Sequence, residues 1–275
     1  MSQLSLLLAV WCATAAAGVA QEVLRYDVAK NSRHEFTLDA EVHQTSSMGE
    51  ADVHNTITSH HAIALTAVDD VLGKLTLDVA LDTSNVTLNI GAIDNVLDAR
   101  DSVVRQTGLS PIRYTILPNG TVVSALATGP TSRIAVEFSN PIGIVFPSTP
   151  LVQGASWTQT LTDSVPAAAN GMLVYTRTRR YTVERFADTM GTRCVVLSLR
   201  GSSGNARGGS TLGDIELTLE GEEETQGTCV IELSTGLPVL IEASSSTSIR
   251  MAFVGMANII VPMTIERRET LRRRR

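Results

Sequence analysis

Glu35-Phe-Thr-Leu-Asp-Ala-Glu-Val-His-Gln44 decides the fold class. Phe36, Leu38, Ala40 and Val42 point one way; Thr37, Asp39, Glu41 and His43 point the other. A period of two is the signature of a half-buried antiparallel strand. The pattern recurs downstream. Asn55 to Val68 carries Ile57, Ile63, Leu65 and Ala67 on one face. Lys74 to Asp82 sets Leu75, Leu77, Val79 and Leu81 against Thr76, Asp78, Ala80 and Asp82, and Val86, Leu88 and Ile90 continue it.

One helix is expected among these strands. Ile93 to Thr107 places Val96, Leu97, Val103 and Val104 at roughly heptad spacing, with Asp94 as N-cap and Gly108 as stop. Pro118-Asn-Gly-Thr121 then separates two apolar runs, a strong hairpin signal. Ser139 to Gly154 holds three prolines and two glycines and is the natural boundary between halves spanning 21–140 and 150–266. Further strands follow at Ser156–Leu161, Met172–Phe186, Arg193–Arg200, Leu212–Glu220, Thr228–Leu233, Pro238–Ser248 and Ile259–Glu266. Gly201 to Gly213, with five glycines, reads as a mobile hairpin tip. The expectation is an all-β chain: a large antiparallel sheet system curved into a half-barrel or sandwich, with one short helix near residues 94–107.

The N-terminus addresses the chain. Leu4 to Ala17 is apolar, Gly18-Val19-Ala20 offers small residues for a signal peptidase, and no charge precedes Glu22. This layout predicts a secretory signal cleaved near Ala20, leaving a periplasmic or extracellular protein of 255 of the 275 residues. Aromatic residues make up only 4% of the chain, too few for a nucleic-acid stacking surface or a sugar-binding platform. Net charge is −6. Arg267 to Arg275 contributes +5 from six arginines and one Glu, which leaves −11 on residues 21–266. An acidic body argues against nucleic-acid partners, because phosphate contacts need a positive footprint. Residues 267–275 read as a disordered basic tail, and Arg272, Arg273, Arg274 and Arg275 as its contact to an anionic membrane surface.

Cys12 lies in the signal, which leaves Cys194 and Cys229 as a pair. In an oxidising compartment such a pair is expected to form a disulfide, unless their strands are next-nearest neighbours and too far apart.

Phe146-Pro-Ser-Thr-Pro-Leu-Val-Gln-Gly-Ala-Ser-Trp157, the late Gly227-Thr-Cys-Val-Ile-Glu-Leu-Ser-Thr-Gly236 and the upstream Pro-Asn-Gly resemble a family of exported bacterial β-rich proteins of unknown function. The resemblance implies a strand-rich plan and no established activity. That plan is similar to periplasmic half-barrels that hold acyl chains, a likeness of fold only.

The candidate sites are few. His54 and His60 share a polar strand face, without ligand spacing for a metal. His61 shares parity with Ile57 and Ile63 and reads as a core histidine bonded to a backbone carbonyl, or as a polar feature of a cavity. Trp157 is either a ring at the lip of a ligand cavity or a plug stapling the Pro-rich connector to the sheet. Tyr175 and Tyr181 share parity with Leu173 and Val183 and could line an apolar pocket. Asp69-Asp70 and Glu222-Glu223-Glu224 read as acidic turns. The chain lacks a Gly-x-Ser-x-Gly elbow, a phosphate-cradling loop and HExxH, so neither an enzyme nor a cofactor is expected. The expected function is an exported binding protein for a lipid or other apolar ligand; the alternative is an envelope structural or protein-interaction module.

Overall fold

The computed structural model describes residues 23–49, 51–90, 100–107, 111–127, 141–167, 171–189, 191–212, 215–254 and 259–274. The expected signal, 1–20, lies outside them. Among these residues twelve strands form: β1 Arg33–Met48, β2 Ala51–Val71, β3 Lys74–Ile90, β4 Arg100–Thr107, β5 Ile112–Ile116, β6 Val122–Ala127, β7 Ser156–Ala167, β8 Gly171–Thr189, β9 Thr192–Leu212, β10 Ile215–Glu232, β11 Pro238–Val254 and β12 Ile259–Arg273. All ladders are antiparallel.

The strands make one sheet in the order β6-β5-β3-β2-β1-β12-β11-β10-β9-β8-β7, with β4 pairing the far half of β3. This corrects the expected layers. Among the described residues there is no second sheet, as a sandwich requires, and the sheet is neither closed nor strongly curled, as a half-barrel would be. The two halves meet at its centre, where β1 and β12 pair from Phe36–Arg273 to Ser46–Met263.

Three local expectations are overturned. No helix occurs among the described residues, and the C-terminal part of the expected one, Arg100–Thr107, is β4. Val103 and Val104 are β-branched, and Thr87 and Val86 of β3 supply their ladder partners. Residues 91–99 lie outside the described ones. Gly201–Leu212 is not a tip but the second half of β9, held on both sides by β8 and β10. Residues 267–273 are not a free tail but the end of β12.

One face of the sheet, here the inner face, carries the core. Phe36, Leu38, Ile63, Leu65, Leu77, Ile116, Val183, Leu197 and Ile231 are buried there. Two straps cover them. Residues 23–28 insert Leu24, Tyr26 and Val28; residues 141–151 insert Ile142, Ile144, Phe146 and Leu151. Each such side chain contributes about 1.5–3 kcal/mol on burial. The second strap lies on the path from β6 to β7, which are opposite edges of the sheet. The Pro-rich connector is therefore a cover over a shared core.

The Asn119-Gly120 turn clasps both straps. Tyr26 N donates to Pro118 O at 2.7 Å and Phe146 N donates to Asn119 O at 2.7 Å. The Tyr26 and Phe146 rings lie 4.9 Å apart, and Tyr26 Oη donates to Ile144 O at 3.1 Å. Gly120 has φ +92°, and a Cβ there would sit 2.4 Å from Ile144 O. Both facts require glycine.

The β2–β3 turn is less well suited to its sequence. Leu72 and Gly73 have φ 56° and 70°, the primed-turn geometry that favours Asn-Gly, and Leu72 is 95% exposed. A bulky side chain in this region costs about 1–2 kcal/mol. Leu72→Asn is expected to stabilise the protein by about 0.5–1 kcal/mol, read as a higher urea midpoint at unchanged slope; an unchanged or lower midpoint contradicts it.

Candidate functional site

Strand register arranges the inner face in transverse rows. The first is apolar: Leu38, Leu271, Ile241, Cys229, Leu197 and Val183 on β1, β12, β11, β10, β9 and β8. The next runs Glu269, Ala243, Gly227, Leu199, Tyr181, Trp157 from β12 to β7. The third runs Arg267, Ser245, Thr225, Gly201, Arg179, Gln159. The fourth includes Glu223, Ser203 and Arg177. In the third row small residues on β9 to β11 are thus flanked by long charged ones on β12 and β8. The result is a depression in the sheet face.

A cavity of about 740 Å³ opens over this depression. Leu38, Ile142, Ile144, Phe146, Leu199 and Leu271 give it an apolar wall. Its charged lining residues, among those described, are Arg177, Arg179, Arg267, Glu223 and Glu269. Arg177 Nε lies 3.3 Å from Glu223 Oε2, and both side chains are 19% exposed. Arg267 pairs with Glu269, at 16% and 24% exposure. Burial lowers the proton affinity of the Arg267 guanidinium; Glu269 opposes this, and Arg177 adds to it. The five groups therefore share one field. Glu222-Glu223-Glu224, expected at a turn, lies inside β10 with Glu223 in the cavity.

The predicted site residues fall into two sets. Trp157 and Tyr181 line the cavity. Their rings stack at 5.3 Å, and Trp157 Nε1 donates to Val145 O at 2.8 Å, so the indole both staples the strap and edges the cavity. Gln159 completes the staple, accepting from Val145 N and donating to Gly143 O. Burial pushes the Tyr181 phenol up to about 12, against the pull of Arg179. Tyr175 is further along β8, opposite Asp163.

His61 does not line this cavity, although its ladder partner Leu38 does. It lies between Leu38 and Ser84 in register and is 8% exposed. Its Nδ1 has no hydrogen-bond partner among the described residues, so the expected bond to a backbone carbonyl is not made through that nitrogen. His54 and His60 are exposed on the outer face, where His60 Nδ1 contacts Asp39 Oδ1 at 2.5 Å. No group of side chains suited to a metal occurs among the described residues.

The cysteines are a correction. Cys194 and Cys229 are both buried free thiols. Their strands are adjacent, so distance between strands is not the obstacle. Cys229 pairs with Leu197 and Cys194 with Glu232, a stagger of three residues. An odd offset sends the two side chains to opposite faces, where no bridge can form. Cys229 belongs to the main core and Cys194 to a small outer cluster with Val196, Val230 and Val239. Burial pushes the Cys229 thiol up to about 12, which keeps it protonated and inert.

The arginine run is divided by the strand. Arg273 bonds Glu232 at 2.5 Å with both side chains mostly buried. Burial works to raise the Glu232 carboxyl, but Arg273, Thr235 and Ser234 outweigh it and hold it below its usual range. Arg272 is exposed, 3.9 Å from Glu242, and Arg274 N donates to Glu35 O. Arg275 lies outside the described residues. The sequence alone gives no role to Arg177 and Arg179 and places Arg267 and Glu269 in a tail and Glu223 in a turn; their shared parity within alternating strands is the available signal.

No protein-family model and no curated protein matches this chain.

Burial lowers the His61 imidazole below its ordinary value, and the nearby His60 and Arg267 charges add to this against Asp39. The folded state therefore favours the neutral ring. Below about pH 6.5 the unfolded chain binds the extra proton more readily, so stability falls as pH drops through that region. Thermal melts from pH 7.5 to 5 should show a declining Tm in the wild type and a shallower decline in His61→Leu. Parallel slopes would remove His61 from the cause.

Proposed function

We propose that this chain is an exported binding protein that holds an apolar or amphiphilic small molecule over the inner face of its sheet. One observation carries the reading: a cavity of about 740 Å³ beside the buried apolar core. Ligand sites fall at about 300–1,000 Å³ and combine apolar walls with a few polar groups. Leu38, Ile144, Phe146, Leu199 and Leu271 supply the first, and the arginine-glutamate floor supplies the second. The strap from Gly143 to Pro147 forms one rim and is held by Trp157 and Gln159.

A fluorescent fatty-acid probe should bind purified protein saturably at one site and quench Trp157, whose ring edges the cavity. Ala243→Trp, which places a large ring on the cavity floor, should abolish uptake while the circular dichroism stays that of a sheet. Uptake by the filled variant equal to wild type would exclude this cavity as the site.

Export rests on the apolar run and small-residue ending of residues 4–20. Expression in a host with a secretion pathway should yield an intact mass beginning at Gln21. A mass that retains Met1 or Ser2 would refute processing. The second reading, a protein-interaction module, draws on β6, an edge strand that leaves Val122, Val123 and Leu126 exposed. Val123→Lys would disrupt such pairing and leave ligand uptake intact.

A further inference from the structure

We infer that the turn end of the β11–β12 hairpin docks this protein on a lipid bilayer, its apolar side chains entering one leaflet. The inference is independent of the cavity reading above.

This end departs from the pattern that governs the rest of the sheet. Further back, β11 turns Glu242, Ser244, Ser246 and Ser248 to the outer face. Beyond Arg250 the alternation stops, and Met251 to Val254 and Ile259 to Ile265 carry no charge. Register puts Phe253 and Ile259 on the inner face and Ala252 and Ile260 on the outer one, with Val254 next to Phe253 and so outer as well. Both faces are open: Ile259 is 47% exposed on one, Val254 45% and Ile260 67% on the other. A strand with a solvated face keeps that face polar. Loss of alternation at an exposed end marks a segment that leaves water on both sides.

Size, shape and charge choose a bilayer over a protein. A stable protein interface uses about 20–30 residues a side, and this patch offers three large exposed side chains. A second copy or a protein partner would cover one face and leave the other wet, whereas lipid surrounds both. β11 has ladder partners on both sides as far as Phe253, so it offers no open edge for an added strand. With no charge among its described residues between Arg250 and Glu266, the hairpin end is complementary to a neutral apolar phase.

Reach sets the mode of docking. The β1–β12 ladder ends at Ser46–Met263, so Ile259 to Pro262 extend past it. At about 3.3 Å per residue this is at most about 13 Å. A spanning strand needs about 9–11 residues, so the hairpin enters one leaflet and does not cross. Glu216 of β10 is the ladder partner of Val254, and a carboxyl is costly in hydrocarbon. The hairpin therefore enters tilted, with β12 and Ile260 leading.

Flotation of the purified protein with neutral phosphatidylcholine vesicles tests this. Wild-type protein should float with the vesicles, and about 0.5 M salt should leave the bound fraction unchanged. Ile260→Ser should lower partitioning about tenfold and Val254→Ser less, with circular dichroism and Tm preserved because both positions are exposed. A polarity-sensitive dye on Ile260→Cys should shift to the blue on vesicles. The same dye on Leu72→Cys, 95% exposed at the opposite end of the sheet, should not. Equal partitioning of wild type and Ile260→Ser overturns the inference. So does binding confined to anionic vesicles and lost in salt, which would place docking on charges such as the exposed Arg272. Absence of vesicle binding overturns it as well, and a concentration-dependent dimer that Ile260→Ser dissolves would then assign the patch to a second copy. None of these outcomes alters the test of uptake at the cavity.

Discussion

β6 and β7 are consecutive in the chain yet form opposite edges of the sheet. That constraint organises the molecule. The chain winds outward from β1 to one edge, crosses, and winds back inward until β12 pairs with β1. Residues 141–155 lie on this crossing and bury Ile142, Ile144, Phe146 and Leu151 against the inner face. Together with residues 23–28, this strap takes the place of the second layer that a sheet normally requires. It covers the apolar rows, and the Tyr26 segment and the Asn119-Gly120 turn hold it in place.

The cavity follows from this cover. A second sheet would meet the whole inner face about 10 Å away with interdigitating side chains. Two narrow straps cover less, and beyond their rim the face changes from Leu and Val to Gly, Ser, Thr, Arg and Glu. Where apolar cover ends, charge begins, and the Arg177–Glu223 and Arg267–Glu269 pairs sit at that boundary. The low exposure of these pairs strengthens their mutual field and raises the cost of any imbalance.

Much of the sheet was legible because one face is buried and the other is not, which stamps a period of two on the sequence. The errors share a cause: local composition was read where a ladder partner decided. Val96, Leu97, Val103 and Val104 suit a helix by spacing, but β3 extends past β5 and offers Val103 and Val104 a free edge. The glycines of 201–212 signal a loop in isolation, yet β8 and β10 pin them on both sides. The arginines of 267–273 signal a solvated tail, although Arg267, Glu269, Leu271 and Arg273 already alternate, and two of them find carboxylates. The cysteines were judged by distance, whereas parity set them on opposite faces.

The sequence by itself determined most of the strand content, antiparallel pairing and the hairpin at Asn119-Gly120, because these depend on alternation and on backbone preferences within a few residues. Only the tertiary structure decided that the strands form one sheet, that β1 and β12 join its halves, and that the Pro-rich connector crosses it. It alone brought Arg177, Arg179, Glu223, Arg267 and Glu269 together from three strands. Strand order and register are contacts between distant residues, and no local pattern encodes which strand lies beside which.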